Sequence, residues 1–212
     1  KPISPQITKS YAAGDMKRCE FLLTMATKWS FFIILIIATP FFVAPEYILR
    51  LWLGEIPPYT VMFIQLLIIE ALIESLNNGV GELVFASGKI AFYQIAVNST
   101  RLFGILVAYF ILRSGYPAYS LLYAYISVSI IVVFVKQIAL KKSVDFDNKI
   151  LFRSSYLPSI LVLMIYVPLM IIYKCLQIHP LLEILSSLLL VFVLLFLLGF
   201  KKTERQYLIN IL

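Results

Sequence analysis

The twenty residues LLEILSSLLLVFVLLFLLGF, at positions 181–200, decide the fold class, and they contain a single charged residue, Glu183. A helix needs about 20 consecutive apolar residues to cross the hydrocarbon core of a bilayer, so this stretch is long enough. The strands of a membrane β-barrel alternate apolar and polar residues, and this stretch does not. Because hydrocarbon offers backbone groups no outside hydrogen-bond partner, we predict a membrane-spanning helix here.

Five further stretches of the 212-residue chain have the same character. They lie at 29–45, 60–80, 93–112, 119–135 and 155–173. Apolar residues make up 61% of the chain and charged residues 14%. Soluble proteins have about 45–50% and about 25%, respectively. The sequence therefore predicts an all-α fold, a polytopic integral membrane bundle of about six transmembrane helices within residues 29–200.

Two segments flank the predicted bundle. We expect residues 201–212 to form a cytoplasmic tail and residues 1–28 to form a cytoplasmic loop and an interfacial helix. Within residues 10–28, apolar side chains such as Tyr11 and Leu22 can share a helix face that excludes the basic residues, a pattern typical of a helix at a membrane surface. A plain entry helix into the first span is the alternative.

Basic residues are distributed unevenly about the predicted spans. Fourteen of the 18 Lys and Arg residues fall on the amino-terminal side of the bundle, and Arg50, Arg113 and Lys174 fall on the other, with Arg101 inside a span. Lys and Arg favour the cytoplasmic side of a membrane, so we predict that both ends of the chain are cytoplasmic. The net charge of +7 lies in short segments between apolar runs, which indicates contact with membrane lipids and not with nucleic acid.

Three ionisable residues fall well inside the predicted spans, where a charge costs about 2.5–3.5 kcal/mol and is a functional candidate by default. They are Glu70 and Glu74 in the second span and Arg101 in the third. The two glutamates are four residues apart and project from one helix face. Arg101 reaches a similar depth, where Asn77 and Asn98 add polar groups. We therefore name these five residues as candidate substrate-binding residues of a cavity.

Two interpretations of this cluster stay open. In the first, Arg101 contacts an anionic group in a water-filled cavity, and the glutamates release or shuttle that group. In the second, a structural Glu–Arg pair fixes helix packing, and the asparagines form hydrogen bonds between helices. Loss of Arg101 would abolish substrate handling in the first case and folding in the second.

The chain carries no pattern typical of an enzyme or of a cofactor site. His179 is its only histidine, and Cys19 and Cys175 lack the spacing of metal ligands. The run Gly79-Val80-Gly81 lacks the third glycine and the preceding strand of a dinucleotide motif. We expect no cofactor, no metal and no catalytic residue.

Three motifs resemble a known family. Residues 5–15, PQITKSYAAGD, are similar to the loop pattern P-x-I-[ST]-x-x-Y-A-x-G-D of polysaccharide exporters and O-antigen flippases, which belong to the multidrug/oligosaccharidyl-lipid/polysaccharide exporter superfamily. Residues 38–55, ATPFFVAPEYILRLWLGE, resemble a second segment of these proteins. Residues 86–94, ASGKIAFYQ, resemble their cytoplasmic turn A-[ST]-G-K-[IN]-x-x-Y. The order and spacing of the three motifs carry the resemblance.

The resemblance implies a function and a missing part. Members of this family have two lobes of about six helices related by pseudo-symmetry, with the substrate between them. This chain resembles the carboxy-terminal portion and begins with Lys1, so we expect a fragment that lacks the amino-terminal lobe. The implied activity is translocation of an undecaprenyl-pyrophosphate-linked oligosaccharide, such as an O-antigen repeat unit, across the bacterial inner membrane for surface polysaccharide and lipopolysaccharide synthesis, without ATP.

Other functions stay open at this point. A multidrug and toxin exporter of the same superfamily would use the glutamates to bind organic cations or protons. A membrane-embedded enzyme of polysaccharide assembly would need a sizeable loop bearing catalytic residues. A structural partner subunit would need no transport cavity of its own.

Overall fold

The fold is built almost wholly from α-helices. The computed structural model describes residues 3–174 and 179–199, and no β-strand occurs among them. The helices are α1 (Ile3–Ala12), α2 (Met16–Val43), α3 (Pro45–Leu53), α4 (Thr60–Ser75), α5 (Val80–Ala86), α6 (Ile90–Arg113), α7 (Ser120–Val144), α8 (Asn148–Leu151), α9 (Leu157–Lys174) and α10 (Pro180–Leu194). A π-helical turn, Phe152–Tyr156, joins α8 to α9, and another, Leu195–Gly199, extends α10. The all-α prediction is confirmed.

Six helical segments of the described residues are long and apolar enough to cross a membrane. They are Met16–Val43, Thr60–Ala86, Ile90–Arg113, Ser120–Val144, Asn148–Ile172 and Pro180–Gly199. Each overlaps one of the six predicted stretches, so the prediction of a multi-pass membrane bundle is confirmed. The predicted tail at 201–212 lies outside the described residues.

The central helix of the bundle is α2. It packs against α1, α4, α9 and α10, while α7 packs against α4 and α6. Two apolar cores result. The first contains Ile7 of α1 and Leu23 of α2, and the second contains Phe31 of α2 and Val191 of α10. Since α4 packs between α2 and α7, its carboxylates are carried into the interior of the bundle.

The helix predicted over residues 10–28 is interrupted at residues 13–15. α1 ends at Ala12, Gly14 has a φ of +72°, and the side chain of Asp15 accepts a hydrogen bond from the backbone N–H of Arg18 at 3.0 Å. Glycine tolerates a positive φ and aspartate is a favoured N-cap, so one helix ends here and the next begins. α2 then runs unbroken into the first span, which is the plain entry helix of the alternative.

α7 continues nine residues beyond the predicted end of the fourth span at residue 135. The added turns contain Lys136, which exposes only 8% of its surface. Lys28 of α2 is also buried, with no exposed surface. The sequence placed both lysines in the basic flanks of the spans, and the structure buries their side chains against neighbouring helices.

α6 and α7 approach each other closely at Gly104. A Cβ atom built on Gly104 would lie 2.6 Å from Cγ2 of Val128. Small residues let helices in a membrane come close enough for extensive van der Waals contact. Gly104 therefore sets the distance between α6 and α7.

We predict that Gly104→Ala lowers the free energy of unfolding by about 1–3 kcal/mol, because the added methyl group overpacks the contact with Val128. SDS titration of the purified chain in mixed micelles measures this energy. Gly104→Ala should cost less in a Val128→Ala background than in the unaltered chain, since Val128→Ala removes the methyl groups that the new Cβ strikes. An unfolding energy unchanged in Gly104→Ala would contradict the close approach.

Candidate binding cavity

The second span consists of two helices. α4 ends at Ser75, α5 begins at Val80, and Gly79 between them has a φ of +88°. The run NNG at 77–79 explains the break, because Asn and Gly favour turns and Gly accepts a positive φ. The predicted span at 60–80 is therefore present but interrupted.

Side chains of α2 hold the break in place. Thr27 Oγ1 donates to the backbone carbonyl of Asn78 at 2.9 Å, and the side-chain amide of Asn78 donates to Ser30 Oγ. Backbone groups freed inside a membrane must find partners on neighbouring parts of the protein. Thr27 supplies one such partner, so the break is tied to the central helix.

A second set of hydrogen bonds ties the break to α7 and to the π-helical turn. Gln137 Nε2 donates to Asn77 Oδ1 at 2.8 Å and to the Tyr156 hydroxyl at 2.7 Å, and that hydroxyl donates to Asn77 Oδ1 at 2.9 Å. Asn77 exposes 3% of its surface. Its Nδ2 has no hydrogen-bond partner within the described part of the chain. Asn77 thus joins three segments and leaves one buried donor unpaired.

A cavity of about 700 Å³ lies against the broken span. Residues of α2, α4, α5, α6 and α7 line it. Its ionisable and amide lining includes Glu70, Glu74, Asn77, Glu82 and Lys136. Three of the five residues named from the sequence, the two glutamates and Asn77, are therefore brought together at one cavity.

Glu74 is shared by two cations at the wall of this cavity. Its Oε1 accepts a hydrogen bond from Arg101 Nη2 at 3.2 Å, and its Oε2 accepts one from Lys136 Nζ at 2.9 Å. The side chain of Lys136 is 10% exposed, that of Glu74 24% and that of Arg101 52%. The pair with Lys136 is internal to the bundle, whereas Arg101 reaches Glu74 from a more open position on α6.

These charges lie well inside the membrane-spanning helices. Arg101 is 11 residues from the start of α6 and Lys136 is eight residues from the end of α7, or about 16 Å and about 12 Å at 1.5 Å per residue. A single charge at such a depth is costly, and an opposite charge in contact with it reduces that cost. Glu74 supplies the opposite charge to both cations.

Glu70 lies one helical turn from Glu74 and has a different partner. Its Oε1 accepts a hydrogen bond from Ser129 Oγ at 2.8 Å. Ser129 and Lys136 are seven residues apart on α7 and share a helix face. The two carboxylates of α4 therefore meet one face of α7, with a hydroxyl opposite one and a cation opposite the other.

Asn98 does not join the cavity. Its side-chain amide donates to Gln94 Oε1 at 3.0 Å on the exposed side of α6. The buried face of α6 carries Tyr93, Val97 and Gly104. Asn98 follows Val97 directly, and one residue turns a helix by about 100°, so its side chain leaves that face.

The sequence analysis missed seven residues that line the cavity or hold the break: Thr27, Ser30, Glu82, Ser129, Lys136, Gln137 and Tyr156. Lys136 was assigned to a flank because the predicted span ended one residue before it. The apolar residues that follow it, IAL at 138–140, were the available signal that the helix continues. The hydroxyl and amide groups carry no comparable signal, because such side chains occur throughout the spans.

Arg101 and Lys136 are the groups of this cluster that can bind an anion. By themselves, Glu74, Arg101 and Lys136 have one carboxylate for two cations. Glu70 and Glu82 bring two further carboxylates to the same cavity. A phosphate group in the cavity can replace Glu74 as the partner of the two cations, because Arg and Lys form charge-assisted hydrogen bonds with phosphate as they do with carboxylate. The same contacts tie α4 to α6 and α7, so a packing role and a binding role are compatible.

We predict that Glu74→Gln lowers the free energy of unfolding by about 3 kcal/mol, because Lys136 is left buried without a countercharge. Glu74→Gln/Lys136→Gln should lose less than Glu74→Gln alone, since it removes both charges. Arg101→Gln should cost only about 1 kcal/mol because Arg101 is half exposed. SDS titration of each variant in mixed micelles provides the comparison.

Glu55→Gln is the matched control, because Glu55 is exposed between α3 and α4 and should change the unfolding energy by no more than about 0.5 kcal/mol. A double variant whose loss equals the sum of the two single losses would show that Glu74 and Lys136 do not stabilise each other.

We also predict that Gly79→Ala lowers the free energy of unfolding. A Cβ atom on Gly79 would lie 3.0 Å from Leu23 Cδ1 and 3.3 Å from the Cβ of Ala26, and the positive φ adds about 1–2 kcal/mol for a residue with a side chain. Gly115→Ala is the control, since Gly115 has a φ of +82° with no atom within 4 Å. Gly79→Ala should destabilise the chain more than Gly115→Ala, and equal losses would contradict the packing of the break against α2.

Comparisons with protein-family models, with curated proteins and with solved structures find no match to this chain.

Proposed function

We propose that this chain serves in the translocation of an undecaprenyl-pyrophosphate-linked oligosaccharide across the bacterial inner membrane for surface polysaccharide synthesis, without ATP. The observation that carries the proposal is the carboxylate of Glu74, held between Arg101 and Lys136 at the wall of a cavity of about 700 Å³ among membrane-spanning helices. A lipid-linked pyrophosphate is an anion that must cross the hydrocarbon core of the membrane. Arg101 and Lys136 offer it two neighbouring cations among the membrane-spanning helices.

The sequence motifs support the same proposal. Those at 5–15, 38–55 and 86–94 resemble segments of polysaccharide exporters and O-antigen flippases. By that resemblance, an amino-terminal lobe supplies the opposite side of the substrate path. The excess of basic residues on the amino-terminal side of the bundle supports an orientation with that side in the cytoplasm.

In the proposed mechanism, Glu74 pairs with Lys136 and Arg101 while no substrate is bound, in the position that the substrate's anionic group later occupies. An entering pyrophosphate accepts hydrogen bonds from Lys136 and Arg101, and Glu74 loses both partners. When the substrate leaves, Glu74 takes the cations back, so they never face hydrocarbon unpaired. Because binding costs two existing ion pairs, the site holds the pyrophosphate less tightly than two free cations would, which favours release on the far side.

The interrupted second span supports a moving part at this site. Discontinuous helices commonly form the substrate sites of membrane transporters. Here the break begins directly after Ser75, next to Glu74, and Asn77 within it contacts α7 through Gln137. Loss of the Glu74–Lys136 pair therefore loosens α4 from α7 beside a point where the span can bend.

The pairing of Glu74 favours this proposal over an exporter that would bind organic cations through Glu74. An exporter of that kind needs a carboxylate free to pair with its substrate. Glu74 already pairs with two cations, and Lys136 and Arg101 would repel a positively charged substrate. Glu70 accepts a hydrogen bond from Ser129 and lies one turn from the same cations. Glu82 also lines the cavity and is the carboxylate that a cation exporter would use.

We predict that Lys136→Gln and Arg101→Gln each slow translocation by about tenfold or more, as expected when a charge-assisted contact worth at least 1.4 kcal/mol is lost. The measurement is dithionite quenching of a fluorescent undecaprenyl-pyrophosphate-linked sugar in liposomes that contain the chain together with the amino-terminal lobe that the proposal requires. Arg101→Lys should retain part of the rate because it retains the charge.

Two controls separate substrate handling from general effects. Lys149→Gln removes an exposed cation away from the cavity, and Asn98→Ala removes a polar group on the exposed side of α6. Both should translocate like the unaltered chain. A full rate in Lys136→Gln of unaltered folded yield would contradict the proposal.

A further inference from the structure

A second cavity, lined by apolar residues together with two lysines and a serine, lies apart from Glu74 at the amino-terminal side of the bundle. It has a volume of about 250 Å³ and is formed where α6 begins and α7 ends. Residues 88–92 line it from one side, and Lys142 and Ser143 line it from the other. The proposed translocation makes no use of these residues.

The start of α6 brings unpaired donors to this cavity. Lys89 is the N-cap residue of a 24-residue helix, it makes no side-chain cap, and the first turn contains no acidic residue. The first backbone N–H groups of a helix have no partner within the helix, and the helix dipole places partial positive charge there. A helix start of this kind attracts an anion, although most such starts bind only water.

Ser143 is a second and independent observation. It exposes 5% of its surface and lines the cavity, yet its hydroxyl has no hydrogen-bond partner among residues 3–174 and 179–199. A serine near the end of a helix usually bonds a carbonyl of the preceding turn. The hydroxyl of Ser143 is instead a donor, unpaired within the described part of the chain, that opens into the cavity, which Lys89 and Lys142 also line beside apolar residues.

Two lysines complete the set of donors. Lys89 and Lys142 both line the cavity, and the ammonium of Lys142 lies 4.1 Å from the centre of the Phe92 ring. A cation held over an aromatic ring is restricted in position, so Lys142 stays near the start of α6. The nearest acidic residue along α7, Asp145, is exposed and does not line the cavity.

We propose that this cavity binds a tetrahedral phosphate group, with Lys89, Lys142, the Ser143 hydroxyl and the first amides of α6 as its donors. The volume fits a single small headgroup and not an oligosaccharide. Because the cavity lies at the ends of two spans and is bordered by the exposed side chains of Ile90 and Phe92, an anionic phospholipid can place its phosphate there and its chains in the bilayer. Free phosphate has the same chemistry, and the two sources are separated by experiment.

The test is native mass spectrometry of the purified chain in neutral detergent, with phosphatidylglycerol, phosphatidylcholine or inorganic phosphate added in separate titrations. Lys89→Gln/Lys142→Gln should weaken binding of the anionic probe by about tenfold or more, and Ser143→Ala by about fivefold. Lys17→Gln/Lys149→Gln is the matched control, because it removes the same charge from exposed sites elsewhere. Its binding should stay within about twofold of the unaltered chain.

The outcomes are distinct. Binding of phosphatidylglycerol that the site variants weaken and that inorganic phosphate does not displace supports a lipid headgroup site. Binding of inorganic phosphate that the same variants weaken supports a site for the free anion. The proposal would be overturned by an equal loss of binding in the control variant, by equal affinity for phosphatidylcholine, or by no binding of either anionic probe. It would also be overturned if both Ser143→Ala and Lys89→Gln/Lys142→Gln kept full affinity. Helix content by circular dichroism confirms that each variant is folded, and Ser143→Ala tests the site with the smallest change.

Discussion

Hydrocarbon offers no hydrogen-bond partner to an amide or a carbonyl and no countercharge to an ion, and this shortage governs how the chain folds. It makes each span helical, and where the second span is interrupted it requires partners from other segments. Thr27, Gln137 and Tyr156 act there on the two asparagines of the break. The same constraint allows Lys136 inside the bundle because Glu74 meets it at 2.9 Å.

The contacts that satisfy this constraint are also the ones that the proposed function uses. Glu74 connects α4 to α6 through Arg101 and to α7 through Lys136. An anion that takes those cations from Glu74 would remove two links between helices in one event. Substrate binding would then change the packing of α4 beside its own break at 77–79, which gives the proposed exchange a structural consequence without ATP.

The sequence predicted the parts of this structure that depend on composition and failed where single contacts decide. Six long apolar runs can cross a lipid bilayer only as helices. The buried charges of Glu74 and Arg101 were expected to pair, and they do so at 3.2 Å. The turn at Gly14 and Asp15 was read as continuous helix, because amphipathic spacing persists across it. Lys136 was placed in a flank since its countercharge lies 62 residues earlier in the chain, beyond the reach of any local pattern. Asn98 was placed in the cavity only because it reaches a depth in the membrane similar to that of Arg101. The rotation of α6 directs its side chain to the exposed side of that helix instead.

The central claim is that Glu74 competes with an anionic substrate group for Lys136 and Arg101. Equilibrium binding of undecaprenyl pyrophosphate to Glu74→Gln, measured on the folded fraction beside the unaltered chain and Lys136→Gln, tests it most directly. The account predicts that Glu74→Gln binds this probe more tightly, by about tenfold for 1.4 kcal/mol of lost competition, while Lys136→Gln binds it more weakly. Weaker binding in Glu74→Gln, comparable to that of Lys136→Gln, would contradict the account, because Glu74 would then be part of the binding surface and not its competitor.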